Sequence, residues 1–275
     1  MTLAPLARVI DEFLVIVGLP RSGTTLLTAL LDAHPRICLF YEPWNSSSPR
    51  PAVPSDVEEF RTAMLGRFGL RVREPVHVTG FKETSIEPGS IGWAASVADS
   101  IARSCRVHVI WIHRDPIHCV LSKLEAARKW WGWPNAHLTR DTLIDELRQL
   151  TPRFQELHEL ASKHGGVVVP YESLVQDPAA VLSQLLGAIG EHFLPAQLDY
   201  YRAGPQPKVM GDVEVAERPA AVSVDSALAR AAEAEAHREL IASVWTSPEF
   251  SRLREESRAI LSGKRGVASS PGPVR

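Results

Sequence analysis

The sequence predicts an α/β protein: a three-layer sandwich with a central parallel sheet of about five strands, flanking helices and a helical C-terminal part. Two observations carry this. Short runs rich in Val, Ile and Phe recur along the chain, are followed by helical patterns, and mostly lack the apolar–polar alternation of a half-exposed strand. Between the first two runs, a strand, a tight glycine-bounded loop, a helix and a second strand make one βαβ unit.

The elements follow in order. Phe13–Val17 is the first strand, and Thr24–Ala33 (TTLLTALLDA) reads as a helix stopped by His34-Pro35. Arg36–Phe40 and Val76–Phe81 are the second and third strands, separated by a Ser- and Pro-rich loop over Asn45–Asp56. Arg106–Ile112 is the fourth strand, followed by a helix over Pro116–Arg128. A longer helical pattern, Asp141–Lys163, contains Pro152 and is expected to kink or split there. Val167–Val169 is the fifth strand, and Pro178–Ala188 a helix with Asp177 as N-cap and Pro178 in its first position. Arg202–Val224 has no period and reads as a long loop over a site, ahead of helices at Ser226–Val244 and Pro248–Leu261. Residues 1–261 are expected to form one domain, with a disordered tail over 262–275.

At 275 residues, 45% hydrophobic and 23% charged, the chain has ordinary globular composition with ample material for a core. A net charge of −2 argues against a general nucleic-acid or anionic-membrane surface, so an anion site must be a local pocket. Cys38, Cys105 and Cys119 are too few and scattered for a disulfide framework or zinc cluster, and read as buried thiols. With no signal-peptide core near Met1 and no run of about 18 apolar residues, a soluble cytoplasmic protein is expected.

The strongest motif is Gly18-Leu19-Pro20-Arg21-Ser22-Gly23-Thr24-Thr25, directly after a strand and opening a helix. Such a loop lets backbone N–H groups converge on an anion at the positive end of the helix. Arg21 adds a charged fork, and Ser22, Thr24 and Thr25 add hydroxyl donors. The Gly18–Gly23 spacing matches the nucleotide-binding P-loop, but Thr24 stands where a kinase or nucleotide hydrolase needs lysine. A second segment, Val109–Pro116, ends a strand with His113-Arg114-Asp115 and is followed by Ser122. Arginine offers a bidentate fork to phosphate and serine a hydroxyl. The same tripeptide occurs in protein-kinase catalytic loops, but Val120 stands where their asparagine belongs. A structural Arg114–Asp115 pair remains the alternative.

These segments resemble the sulfotransferases that use 3′-phosphoadenosine 5′-phosphosulfate (PAPS), and VGLPRSGTTLLTALLDAHP is most similar to the tyrosylprotein sulfotransferases and related bacterial enzymes. The resemblance covers roughly residues 13–180 and implies a P-loop-type fold. It implies a 5′-phosphosulfate loop at Pro20–Thr25 and a 3′-phosphate grip by Arg114 and Ser122. It further implies Glu42 as general base and Lys82, with Arg21, as stabiliser of the leaving phosphate. Tyr41 occupies the position of the first of two adjacent glutamates in the tyrosylprotein sulfotransferases. Tyr171, in Tyr171-Glu172-Ser173-Leu174, is a nucleotide contact or a core residue, and Lys208, in the segment Lys208–Asp212, a phosphate ligand.

Sulfuryl transfer needs an in-line acceptor, a base and cations at the leaving group, and no metal. In a parallel sheet the strand C-termini share one edge, which would make Arg21, Glu42, Lys82, Arg114 and Tyr171 neighbours. The bland alternatives are a surface carboxylate for Glu42 and a surface Lys82–Glu83 pair. His34, His77, His108 and His118 receive no catalytic role. Trp130, Trp131 and Trp133 line an acceptor pocket or anchor the core. The acceptor is a small-molecule, carbohydrate or peptide hydroxyl or amine. The rival readings are a P-loop kinase or nucleotide hydrolase, and a non-catalytic nucleotide-binding protein of the same fold.

Overall fold

The computed structural model describes residues 12–45, 49–68, 76–203 and 221–262. Its centre is a five-stranded, wholly parallel sheet in the order β2-β3-β1-β4-β5. The strands are β1 (Glu12–Gly18), β2 (Ile37–Tyr41), β3 (Val78–Thr84), β4 (Arg106–His113) and β5 (Val167–Pro170). All seven β1 residues are buried, because both faces of the sheet are covered. Phe13, Val15 and Val17 enter one core while Leu14 and Ile16 enter the other. The same division sends Val109 and Trp111 of β4 one way and Ile110 and Ile112 the other. A strand buried on both sides has no reason to alternate, which is why these runs are continuously apolar.

One face is covered by α1 (Thr24–Asp32), α6 (Tyr171–Gln176) and α7 (Pro178–Ala188), through Leu27, Leu30, Leu174 and Leu182. The other carries α2 (Val57–Phe68), α3 (Ser90–Ile101), α4 (Pro116–Lys129) and α5 (Arg140–Lys163). Three C-terminal helices join that layer: α8 (Asp225–Ala236), α9 (Arg238–Trp245) and α10 (Ser251–Leu261). Edge-to-face contacts such as Phe13–Phe60, with centroids 5.0 Å apart, lock α2 onto the sheet. Among the described residues no helix is long and apolar enough to cross a membrane.

Chain direction reverses beside β1. From β1 the chain runs through α1 to β2 at one edge and returns to β3; from β4 it runs to β5 at the other edge. The adjacent C-terminal ends of β1 and β4 therefore feed connections that diverge, opening a crevice where open α/β sheets bind ligands. The glycine loop and Arg114 are the segments that leave those two ends.

Several elements depart from the sequence expectation. The third strand begins later and runs on through Lys82, Glu83 and Thr84, which are buried polar residues and so do not read as strand. Helices α2 and α3 were not anticipated. In α3 the burial of Ile91, Ala94, Ala98 and Ile101 does follow helical spacing, but Gly92 and small residues dilute the pattern. Pro152 does not split α5, which continues from Arg140 to Lys163, while Thr151 Oγ1 donates to the Leu147 carbonyl at 2.8 Å in that turn. The helix expected over Ser226–Val244 breaks at His237, whose φ of −110° and ψ of 19° leave the helical region. The break lets α8 pack on α4 and α9 on α5, two surfaces that one straight helix would not follow. The expected tail beyond Ser262 and most of the Arg202–Val224 loop lie outside the described residues.

His113, the last residue of β4, is buried against Trp111 and Phe154, and its Nε2 meets Ser257 Oγ of α10 at 3.0 Å. Burial holds its pKa down at about 4, against a weaker opposing pull from Glu172. The folded state thus binds this proton more weakly than the unfolded chain. The stability it supports is complete above the unfolded value of 6.5 and is lost as pH falls from there towards 4. The expected loss over that window is on the order of 3 kcal/mol. Thermal melts of the wild type and His113→Gln between those pH values measure it. A variant curve as steep as the wild type's would assign the acid limb to other groups.

Candidate active site

The C-terminal edge of the sheet holds a cavity of about 710 Å³. Its floor is the loop from Gly18 to Gly23, tightened by a Ser22 N–H bond to the Leu19 carbonyl at 3.1 Å. Arg21 and Gly23 take positive φ values of 70° and 100°. The two glycines answer to the protein's own neighbours. A Cβ on Gly18 would come within 2.8 Å of the Ile112 carbonyl, and one on Gly23 within 2.5 Å of the Tyr171 ring. Helix α1 starts directly after Gly23 with no side-chain cap and no acidic residue in its first turn. Its N-terminal N–H groups, with their positive dipole end, are therefore left for another partner.

Pro20, Arg21, Gly23, Thr24 and Thr25 line the cavity. Ser22 differs: its hydroxyl is turned inward beneath Gly18, buried, with no hydrogen-bond partner among the described residues.

Arg114 and Ser122 reach the same cavity from β4 and α4. Arg114 is only 3% exposed and sits over the Tyr171 ring, its Cζ 4.2 Å from the centroid. One guanidinium nitrogen donates to the Arg21 carbonyl at 3.2 Å, while Nε and Nη2 have no acceptor among the described residues. Ser122 Oγ accepts from Arg21 Nε at 3.3 Å, which ties the glycine loop to α4. Tyr171 opens α6 and packs in the core as well as beneath Arg114, so the two roles weighed for it are compatible. Asp115 is a helix cap, its carboxylate accepting from the Ile117 N–H at 2.8 Å, and is not a salt-bridge partner of Arg114.

Glu42 lies immediately after β2 and Lys82 within β3, on adjacent strands. Lys82 is fully buried, and its ammonium bonds both the Glu42 carboxylate and Thr25 Oγ1, the latter at 2.9 Å. An ammonium has three N–H donors; two are thus used among the described residues. Thr84 Oγ1 also donates to Glu42, at 3.3 Å. Glu42 has φ 48° and precedes Pro43, which itself favours extended backbone in the residue before it. It and Arg21 are the two non-glycine positive-φ residues among those described, and both line this cavity. Strain of this kind is retained where the surroundings over-determine it, and it gathers at functional sites.

The surface Lys82–Glu83 pair considered from the sequence does not form: successive strand residues face opposite sides, and both are buried. Glu83 instead accepts from the Trp44 N–H at 2.8 Å and from Asn45 Nδ2 at 2.6 Å, clamping the chain just beyond Glu42. Burial, aided by the nearby Glu42 carboxylate, pushes its pKa up to about 8. Its contribution to stability has the opposite sign from that of His113: present at acid pH and lost as pH rises from 4.5 towards 8. Sequence reasoning missed Glu83, Asn45 and Thr84 as supports of Glu42, because the partners lie about forty residues apart and no spacing rule links them.

Tyr41 is buried with its ring 6.0 Å from the Lys82 ammonium, and burial raises its hydroxyl pKa well above the usual value. Of the histidines given no role, His77 and His108 pair with Glu191 and Glu12, and His34 accepts from the Arg36 N–H at 3.2 Å. Trp130, Trp131 and Trp133 line the cavity, Trp130 beneath the Arg21 guanidinium at 5.6 Å. Lys208 lies outside the described residues.

Comparison with known proteins gives this geometry a family. The model of the sulfotransferase family matches residues 14–79 and 106–195, the stretches that carry β1, α1, β2, β4 and β5. No curated protein matches the chain. Among solved structures, mouse sulfotransferase SULT7A1 complexed with PAP is 14% identical with a TM-score of 0.51, over 90% of this chain and 89% of that one. The sulfotransferase domain of the Synechococcus PCC 7002 olefin synthase is 19% identical with a TM-score of 0.43, over 82% of this chain and 94% of that one. Sulfotransferase STF9 from Mycobacterium avium is 14% identical with a TM-score of 0.45, over 86% and 78% respectively. The match to the family model spans more than half the sequence, and the chain belongs to the sulfotransferase family.

Proposed function

We propose that the protein transfers the sulfuryl group of PAPS to a hydroxyl or amine acceptor in the cavity above Glu42. The observation that carries the donor assignment is Arg114. A guanidinium so buried, with Nε and Nη2 lacking acceptors among the described residues, is costly unless an anion completes it. Arg114, with Ser122 beside it, fits the nucleotide's 3′-phosphate, the group that separates PAPS from ATP-like nucleotides. The glycine loop and the uncapped start of α1 fit its 5′-phosphosulfate.

The transfer then follows from the residues around Lys82. Glu42 takes the acceptor's proton while the acceptor oxygen or nitrogen bonds to sulfur. The bond from sulfur to the bridging phosphate oxygen breaks, and its electron pair leaves on adenosine 3′,5′-bisphosphate. The third N–H of Lys82, together with Arg21, meets that growing charge, which is worth most where water is excluded. Lys82 also holds Glu42 in place until the acceptor arrives.

Thermal stabilisation tests the donor site. Adenosine 3′,5′-bisphosphate at about 100 times its Kd adds about 2.7 kcal/mol, a shift of several degrees. The expected result is a shift with the bisphosphate that ATP, GTP and adenosine 5′-phosphate do not match. Arg114→Ala should weaken the bisphosphate selectively; equal loss for adenosine 5′-phosphate would make Arg114 a structural residue. A shift with ATP and magnesium alone would overturn the sulfotransferase reading in favour of a kinase.

A further inference from the structure

We infer that the acceptor is a ring-bearing alcohol or phenol that also carries an anionic group, with its ring against Trp131, Trp133 and Ile86 and its anion on Arg153. The inference rests on the sulfuryl-transfer reading and names the substrate class for that same site.

The ring wall comes from two separate segments. Trp131 and Trp133 are 42% and 60% exposed and meet edge to face with centroids 6.2 Å apart. Ile86, just beyond β3, is 45% exposed. All three line the cavity that contains Glu42. Single exposed apolar residues are ordinary. Three converging on one cavity form a patch of the kind that binds ligand, and indole surfaces suit flat rings. These tryptophans follow the end of α4 and share the cavity with Glu42.

The anion follows from the cations around the cavity. Arg114 and Arg21 are assigned to the nucleotide, and Lys123 is neutralised by both Glu146 oxygens at 2.7 Å. Arg153 of α5 also lines the cavity, is half-buried, and makes no hydrogen bond or ion pair with any described residue. Burial draws its pKa below the ordinary guanidinium value, against a weaker opposing pull from Glu146 and Glu156. A half-buried guanidinium with no hydrogen-bond partner among the described residues is satisfied by a carboxylate in a bidentate pair. Gln149, one helical turn earlier, lines the cavity beside it and offers an amide. The carboxylate of Glu125, which would repel an anion, is engaged by Lys129 and Arg230.

The test uses the full chain saturated with adenosine 3′,5′-bisphosphate. Phenols and cyclohexanols, each as a carboxylate and as its neutral amide, are titrated by tryptophan fluorescence. Carboxylates are expected to bind about 10-fold or more tightly than their amides, the difference that charge-assisted hydrogen bonds supply. Arg153→Met, which keeps the alkyl stem, should erase that difference and leave bisphosphate binding unchanged. Trp133→Ala should weaken both members of each pair. Equal binding of acid and amide to the wild type overturns the inference without reference to any variant. Weaker bisphosphate binding by Arg153→Met also overturns it, by giving Arg153 to the nucleotide. If the bisphosphate does not stabilise the wild type, the sulfuryl-transfer reading falls and this inference with it. A bisphosphate shift without charge preference removes only the inference.

Discussion

Glu42→Gln is expected to lower turnover by about 10²–10⁴ while leaving adenosine 3′,5′-bisphosphate binding intact. The amide keeps the shape of the carboxylate and an oxygen to accept from Lys82 and Thr84, so the bisphosphate site persists although the buried Lys82 ammonium loses its counter-charge and some stability is lost. What it loses is the capacity to take the acceptor's proton. The expected signature is a fall in kcat with the bisphosphate thermal shift unchanged. Glu42 is suited to this role by its positive φ, its bond from the N–H to the Lys82 carbonyl at 2.8 Å, and the Glu83–Asn45 clamp behind it. Turnover equal to that of the wild type would remove Glu42 as the base.

Lys82→Met is expected to have the larger effect on stability. Lys82 and Glu42 are both buried, and removing one member of a buried pair leaves an uncompensated charge, at a cost of about 3–5 kcal/mol. For a chain of this size that is a drop in Tm on the order of 10 °C. Turnover should be lost as well, since the leaving phosphate would have no ammonium beside it. The double variant Glu42→Gln/Lys82→Met separates the two effects. With no carboxylate to strand, it should be more stable than Lys82→Met alone, a coupling that additive sites do not produce. A double variant as unstable as the sum of the singles would mean that the two residues act independently.

The nucleotide-facing parts of the site legible in the sequence share a property: each is encoded by local spacing. Gly18 and Gly23 bracket a loop between a strand and a helix, and Arg114 with Ser122 spans a strand end and the next helix turns. Glu42 was legible through the family resemblance together with its place just beyond a strand. The strands read well because burial on both faces makes them continuously apolar. Where burial recruited polar residues, as at Lys82–Thr84, the same rule ended the strand too early. Ser22 illustrates the opposite limit. Its hydroxyl looked like one more donor to the anion, but positive φ values on either side turn it under Gly18.

The sequence by itself determined the class of fold, the glycine loop and the cations that follow the strands, because periodicity and short spacing record local geometry. The tertiary structure alone decided which groups pair. Strand order 2-3-1-4-5 puts β2 beside β3, and only that adjacency brings Glu42 to Lys82 across forty residues. It likewise places Tyr171 under Arg114, Glu83 behind the Glu42 turn, and Arg153 of α5 at the wall of a cavity floored by the glycine loop. Interactions of that kind depend on distances through space between segments remote in the chain, and no local pattern of residues carries them.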